Sequence, residues 1–201
     1  MATSRLIIDR IRVLKAQFDR MRSGKDALLA MIDETEMAES VYNSNAIENS
    51  TLSLPETEKI LLEMEVSRRV TVREVYETKN LARVVAFIRA LSKDREISKE
   101  LICILHGMLL VGINDAIAGR FRTSNEYVRV GAFIAPASEH IDLLMDRLLE
   151  EYTNNLTAYP IDAIARFHLE LETIHPFNDG NGRIGRVFIN LQLHRIGFSN
   201  I

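Results

Sequence analysis

His175-Pro176-Phe177-Asn178-Asp179-Gly180-Asn181-Gly182-Arg183-Ile184-Gly185-Arg186 gathers a base, a carboxylate, three glycines and two arginines into twelve residues. Ahead of it, residues 161–174 place Ile164, His168 and Leu171 on the stripe that ends at His175. Behind it, Ile184, Val187, Phe188, Leu191 and Ile196 recur at helical spacing, with Arg183, Arg186 and Asn190 on another face. The segment therefore predicts a glycine turn between two helices.

The first N–H groups of the second helix have no partner within it and carry the positive end of its dipole. The amides of Gly180, Asn181 and Gly182 can thus wrap an anion without obstruction. Arg183 and Arg186 lie one turn apart and can each offer a guanidinium fork, which suits a polyphosphate better than a single phosphate. Asp179 adds a hard oxygen ligand suited to a Mg²⁺ that keeps most of its waters. His175 is the neighbouring side chain able to take a proton near neutral pH and is the candidate general base. With no Ser or Cys beside it, it is expected to activate a hydroxyl of an incoming substrate. The chemistry read from these residues is transfer of a nucleotide-derived group onto a hydroxyl.

At these positions the chain resembles the Fic family (filamentation induced by cyclic AMP), whose signature is His-Pro-Phe-x-Asp/Glu-Gly-Asn-Gly-Arg-x-x-Arg. The resemblance implies an all-α, Fic-type helical domain with a short β-hairpin flap near the active site. It also implies adenylylation, in which AMP passes from ATP to a Ser, Thr or Tyr hydroxyl of a target protein and pyrophosphate is released. By position, His175 is the base, Asp179 binds Mg²⁺, Asn181 with the surrounding amides holds the α-phosphate, and Arg183 and Arg186 hold the β- and γ-phosphates. The related Doc branch, which phosphorylates its target, has Lys after the Asn; Gly182 and Arg183 argue against it.

Ser44-Asn45-Ala46-Ile47-Glu48-Asn49 resembles the family's inhibitory motif, Ser/Thr-x-x-x-Glu-Gly/Asn. Ser44, Glu48 and Asn49 match its fixed positions, and the implied contact pairs Glu48 with Arg186 and displaces the γ-phosphate. A carboxylate and a phosphate compete for one guanidinium fork, and a shielded pair is expected to cost several kcal/mol to open. In some relatives the same Glu supports hydrolytic removal of AMP, so brake and hydrolase stand side by side. A nucleotide-binding regulatory module without turnover is the reading from another class, for which His175 is not needed.

A third stretch runs from Gly119-Arg120-Phe121-Arg122 to Tyr127 through Pro136. Alternating apolar residues around Gly131 predict a short hairpin with a glycine turn. In the family this is a flap that aligns the target by strand addition, which assigns Gly131, Ala132, Phe133 and Ile134 to target docking. Ala135 stands where the family often has the first of two prolines, before Pro136.

With 201 residues, 47% of them hydrophobic, the chain can bury a sizeable core, and one domain is expected over 1–201: N-terminal helices over 1–66, including 44–49, and a catalytic core over 67–201. A net charge of −3 with scattered Lys and Arg argues against nucleic acid as a partner. The N-terminus has no apolar signal core, and no apolar run approaches the roughly 18 residues of a span, so neither secretion nor a membrane is expected. Cys103, the sole cysteine, excludes an internal disulfide and reads as core. A cytoplasmic location follows as the expectation. Capping-box spacing at Ser53 to Glu56 and Thr71 to Glu74, with caps at Ser98 and Ser138, marks helix starts. Residues 4–33 form an amphipathic arm that should pack on the core or on another subunit; family members often dimerise, which adds a homodimer to the expected partners. Relatives usually continue beyond the position of Ile201 with helices that wall the base pocket, and some use UTP or CDP-choline, which leaves the donor base open.

Overall fold

Helical periodicity becomes eight α-helices among the described residues of the computed structural model, which are 3–66, 69–91, 95–155 and 159–198. They are α1 (Arg5–Arg22), α2 (Asp26–Ile47), α3 (Leu54–Leu62), α4 (Val72–Ala90), α5 (Lys99–Leu110), α6 (Ile141–Asn155), α7 (Pro160–Ile174) and α8 (Asn181–Arg195). Two-residue strands β1 (Arg129–Val130) and β2 (Phe133–Ile134) form an antiparallel hairpin between α5 and α6. The all-α class with a short hairpin is thus observed.

Both capping boxes form. The Ser53 N–H donates to Glu56 at 2.8 Å ahead of α3, and the Thr71 hydroxyl accepts from the Glu74 N–H at 3.1 Å ahead of α4. Ser98 caps α5 by accepting from the Leu101 N–H. Ser138 does not cap a helix: it opens a 3₁₀ turn, Ser138–His140, that runs straight into α6, and the cap position falls on Ala137.

Helix α5 supplies the centre. Leu101, Ile102, Leu105, Leu109 and Leu110 are essentially inaccessible and share one core cluster with Val84 of α4, Met145 of α6, Phe167 of α7, and Ile184 and Phe188 of α8. Burial of each such side chain contributes about 1.5–3 kcal/mol, so this helix fixes where α4, α7 and α8 meet. Cys103 is half-buried rather than fully enclosed, and burial pushes its thiol pKa up.

The N-terminal arm is split between two helices, because Gly24 adopts φ +73° between α1 and α2. Helix α1 contributes no buried residue, and Leu6, Val13, Leu14 and Met21 are exposed. Its contacts with the rest are sparse: Thr3, just ahead of it, donates its N–H and hydroxyl to Asp162 in the first turn of α7, and the Lys15 ammonium lies 5.5 Å from the Phe198 ring centre. By contrast α2 joins the fold, burying Ala38 and Val41. The expected boundary between residues 66 and 67 lies at the edge of the described segment, since residues 67 and 68 fall outside it.

Candidate functional site

Helix α7 ends at Ile174, and His175 follows in the left-handed region, φ 50° and ψ 60°. A β-carbon makes that conformation unfavourable by about 1–3 kcal/mol, so neighbouring contacts must impose it. The His175 N–H donates to the Leu171 carbonyl at 2.9 Å. Arg122, buried, supplies the rest. Its Nε donates to the His175 carbonyl at 2.9 Å, Nη2 to Ile174 and Pro136, and Nη1 to Glu126, while its own N–H donates to Pro176 at 2.8 Å. One guanidinium therefore neutralises the negative end of α7 and ties the loop after His175 to the exit of the hairpin. The His175 Nδ1 lies 3.3 Å from the Glu172 carbonyl, which can only accept. Nδ1 carries the hydrogen in that contact, leaving the Nε2 lone pair of the neutral ring for a proton.

The turn after His175 is held from inside. Asn181 accepts from the Phe177 N–H at 2.9 Å and donates to the Phe177 carbonyl at 2.8 Å, closing the loop on itself. The Asn181 side chain is thus engaged with the loop on both sides, and its backbone N–H lies in the first turn of α8. Phe177 stacks on His106 of α5 with ring centres 3.7 Å apart. The His106 Nδ1 accepts from the Gly119 N–H at 3.0 Å, so Nε2 bears the hydrogen and donates to the Asp179 carbonyl at 3.0 Å.

Burial pushes the His106 imidazole down to about 4. An unfolded chain takes up this proton near pH 6.5 while the folded chain refuses it, so stability is complete above pH 6.5 and declines as pH falls toward about 4. The loss should level off at about 3 kcal/mol. His106→Asn keeps an acceptor near the place of Nδ1 and removes the titration. Urea midpoints should therefore fall from pH 6.5 to 5 in the wild type and stay flatter in the variant; parallel curves would refute this assignment.

Gly180 turns the chain at φ +80° into the first turn of α8. At Gly182 the absent side chain is itself the feature: a β-carbon there would collide with the Glu48 carboxylate and lie 3.0 Å from the Arg186 Nη1. Gly182, Glu48 and Arg186 thus share one small space.

The two arginines do not present a common open fork. Arg183 is only 2% exposed; its Nη2 donates to Asp179 at 3.0 Å and its Nη1 pairs with Glu77 of α4 at 3.1 Å. The Nη1–Glu77 contact is an ion pair without hydrogen-bond geometry and Nε has no hydrogen-bond partner, so these two buried donors are left able to turn to an anion. Arg186 faces α2 instead. Its Nε donates to the Ser44 hydroxyl at 2.8 Å, and Nη2 to the Ser44 carbonyl at 3.0 Å and to Glu48 at 2.7 Å. The side chains of Arg186 and Glu48 are 24% and 39% exposed, so the pair is far less shielded than expected and is worth about 0–1 kcal/mol rather than several.

Glu48 is the C-cap of α2, and Asn49 behind it takes φ +66° while the Ser50 N–H returns to the Asn45 carbonyl. The Gly/Asn position of the matched motif is therefore a helix stop, where only those residues adopt the left-handed cap readily. Beside Ser44 and Arg186, a cavity of about 430 Å³ opens between α2, α4 and α8, walled by Ile47, Leu81, Val85 and Val187.

Asp179 is held by two cations. Arg183 takes Oδ1, and Arg73 of α4 takes Oδ2 at 2.5 Å while its Nε donates to Glu77 at 2.9 Å. Burial pushes the Asp179 carboxyl up, but the Arg183 charge and the Arg73 hydrogen bond outweigh it and leave the group below its ordinary range. Among the described residues no cluster of three or more His, Cys, Asp or Glu could hold a metal alone. One hard carboxylate beside an anion cradle does fit Mg²⁺, which takes most of its ligands from water and phosphate.

In the hairpin, Arg129 faces Ile134 and Val130 faces Phe133, across Gly131 and Ala132. Gly131 has φ +59°, as the first position of a II′ turn requires. Val130, Phe133 and Ile134 are exposed, and the Ala135 N–H extends the pairing to Val128 at 3.0 Å.

Four side chains in this assembly carry no sequence signal of their role. His106 could have been noticed as a lone imidazole in an apolar helix. Arg122 sits in a stretch read only as the lead to the hairpin. Arg73 and Glu77 look like an ordinary i,i+4 surface pair, and nothing local points them at residues a hundred positions away.

Residues 96–193 match the sequence profile of the Fic/DOC family. The chain is 34% identical over 202 aligned residues to protein adenylyltransferase fic-1 of Caenorhabditis elegans, covering 98% of this chain and 39% of that protein. It is 30% identical to protein adenylyltransferase Fic of Aedes aegypti, covering 90% of this chain and 39% of the relative. The chain thus spans about two fifths of the length of these curated relatives. A Fic-domain-containing signaling protein from Bacteroides thetaiotaomicron superposes with a TM-score of 0.84 at 27% identity, over 94% of this chain and 73% of that one. Fic-1 from C. elegans gives 0.79 at 30% identity, over 99% and 61%. No helix among the described residues is long and apolar enough to cross a membrane.

Proposed function

Because the chain belongs to the Fic/DOC family, we propose that it is a protein adenylyltransferase that moves AMP from ATP to a Ser, Thr or Tyr hydroxyl of a target protein, itself included. The observation that carries this reading is the juxtaposition of the His175 Nε2 lone pair with an anion cradle at the start of α8. The target hydroxyl oxygen attacks the α-phosphorus, its proton passes to His175 Nε2, and the bond to the bridging oxygen of pyrophosphate breaks. The amides of Gly180, Asn181 and Gly182 and the buried donors of Arg183 steady the phosphates, and Arg186 receives the outer end of the chain. Asp179 would hold Mg²⁺, which when bound neutralises charge on the phosphate oxygens. Residues 131–134 align the target chain as an added strand, a role supported by the exposed edge of the hairpin.

Glu48 regulates this activity. Seated over Gly182 and paired with Arg186, it occupies the place of the outermost phosphate and holds the enzyme nearly silent. Its carboxylate above the cradle also supports a second reading, orientation of a water for hydrolytic removal of AMP.

The discriminating experiment uses ATP labelled at the α- or the γ-phosphate, with Mg²⁺, the chain and a cytosolic extract. Protein labelled from the α-position alone is the expected result. Label from the γ-position would replace the reading with a kinase, and ATP binding without label from either would favour a nucleotide-sensing module. Loss of AMP from pre-modified protein would favour the hydrolytic reading.

A further inference from the structure

The first turn of α4 reaches into the site through Arg73. Its geometry is set by local contacts: Thr71 caps it, and Glu74 accepts from the N–H and hydroxyl of Thr51 at 2.8 and 2.7 Å, only three residues beyond Glu48. From that fixed turn Arg73 extends to Asp179 Oδ2 at 2.5 Å, with Nε anchored on Glu77, whose carboxylate also pairs with Arg183. Both oxygens of the one carboxylate in the cradle are therefore occupied by guanidinium groups.

A divalent cation on Asp179 needs one of those oxygens, and the two arginines are not equally able to yield it. Arg183 is 2% exposed, and turning it away would strand a buried charge. Arg73 is 56% exposed, so water can replace the carboxylate, and its Nε contact with Glu77 keeps the side chain near the site when Nη2 lets go. A guanidinium left at 2.5 Å from Oδ2 would in addition repel an incoming dication.

We propose that Arg73 is a positioning residue for the cation of this site: it stands in for the metal on Asp179, holds the carboxylate in place, and sets how tightly the cation binds. The proposal rests on the reading of Asp179 as the Mg²⁺ ligand. It differs from the role of Glu48, which competes with phosphate for Arg186, because Arg73 competes with metal for Asp179.

Mn²⁺ is a suitable probe, since loss of the electron paramagnetic resonance signal of the free ion reports binding without turnover. Titrations of the wild type, Arg73→Ala, Arg73→Lys and Asp179→Asn would be run with and without an ATP analogue carrying a methylene between the α- and β-phosphorus. Arg73→Ala should bind Mn²⁺ about three- to fivefold more tightly, the range of one exposed charge pair, while Arg73→Lys, which keeps the competing charge, stays near wild type. A residue that merely supports the fold would shift binding the other way. Equal or weaker binding by Arg73→Ala, including no binding to either protein, overturns the proposal. If Asp179→Asn retains the Mn²⁺ bound with the analogue, it is instead the assignment of Asp179 that fails.

Discussion

His175→Ala should lower AMP transfer by about 10²- to 10⁴-fold, the range of a positioned general base, while Mg²⁺-ATP binding stays measurable. The anion cradle is built from the amides of 180–182 and from arginines, none of which depends on the imidazole. The base depends on its tautomer, fixed by Nδ1 on the Glu172 carbonyl, and on a left-handed backbone that Arg122 and the Leu171 carbonyl impose. His175→Gly makes a second probe, because glycine accepts φ 50° without strain. It should be as inactive as the alanine form yet more stable to urea by about 1 kcal/mol. Calorimetric titration with ATP and quantification of labelled protein separate binding from chemistry. Transfer that persists undiminished in both variants would remove His175 from the mechanism and leave the nucleotide-sensing module as the better account.

The opposite sign is expected at Glu48. Glu48→Gly should raise transfer about 5- to 150-fold, the span of a 1–3 kcal/mol coupling between an effector contact and a site. The strength of the Glu48–Arg186 pair is not the source, since both side chains are partly solvated and the pair itself is worth about 0–1 kcal/mol. The effect comes from occupancy: the carboxylate fills the space above Gly182 and holds the guanidinium that the outer phosphate needs. Thermal midpoints should therefore move little while activity moves much. Glu48→Gln, which keeps the shape and loses the charge, should fall between. Transfer that is no faster in either variant would eliminate the brake, and slower loss of AMP from modified protein in Glu48→Gly would point to the hydrolytic role.

What the sequence discloses here is local. The apolar spacing of 161–174 and 184–196, the capping boxes at Ser53 and Thr71, and the glycine turn of the hairpin are written within a few residues, and each forms as read. The contact of Glu48 with Arg186 follows the short motif at 44–49, and it forms across 138 positions of sequence. The partners of the other arginines were not legible. Arg183 seemed an open fork because Glu77, the carboxylate that fills it, lies on another helix and announces nothing in its own surroundings. The loop-closing hydrogen bonds of the Asn181 side chain to Phe177 were likewise not announced by the motif. Helix α1 has the periodicity of a packed helix, and periodicity specifies a face without specifying what covers it.

The Ser44 carbonyl lies in the last turn of α2, where the Glu48 N–H has gone to Asn45 instead, and it is Arg186 that satisfies it. The same guanidinium is thus the end-cap of the helix that carries its own competitor. Drawing Arg186 away would leave residues 44–48 prone to fraying, so under the proposed function nucleotide affinity would include the work of loosening one helical turn, and stiffening or melting that turn would tune the site without touching it.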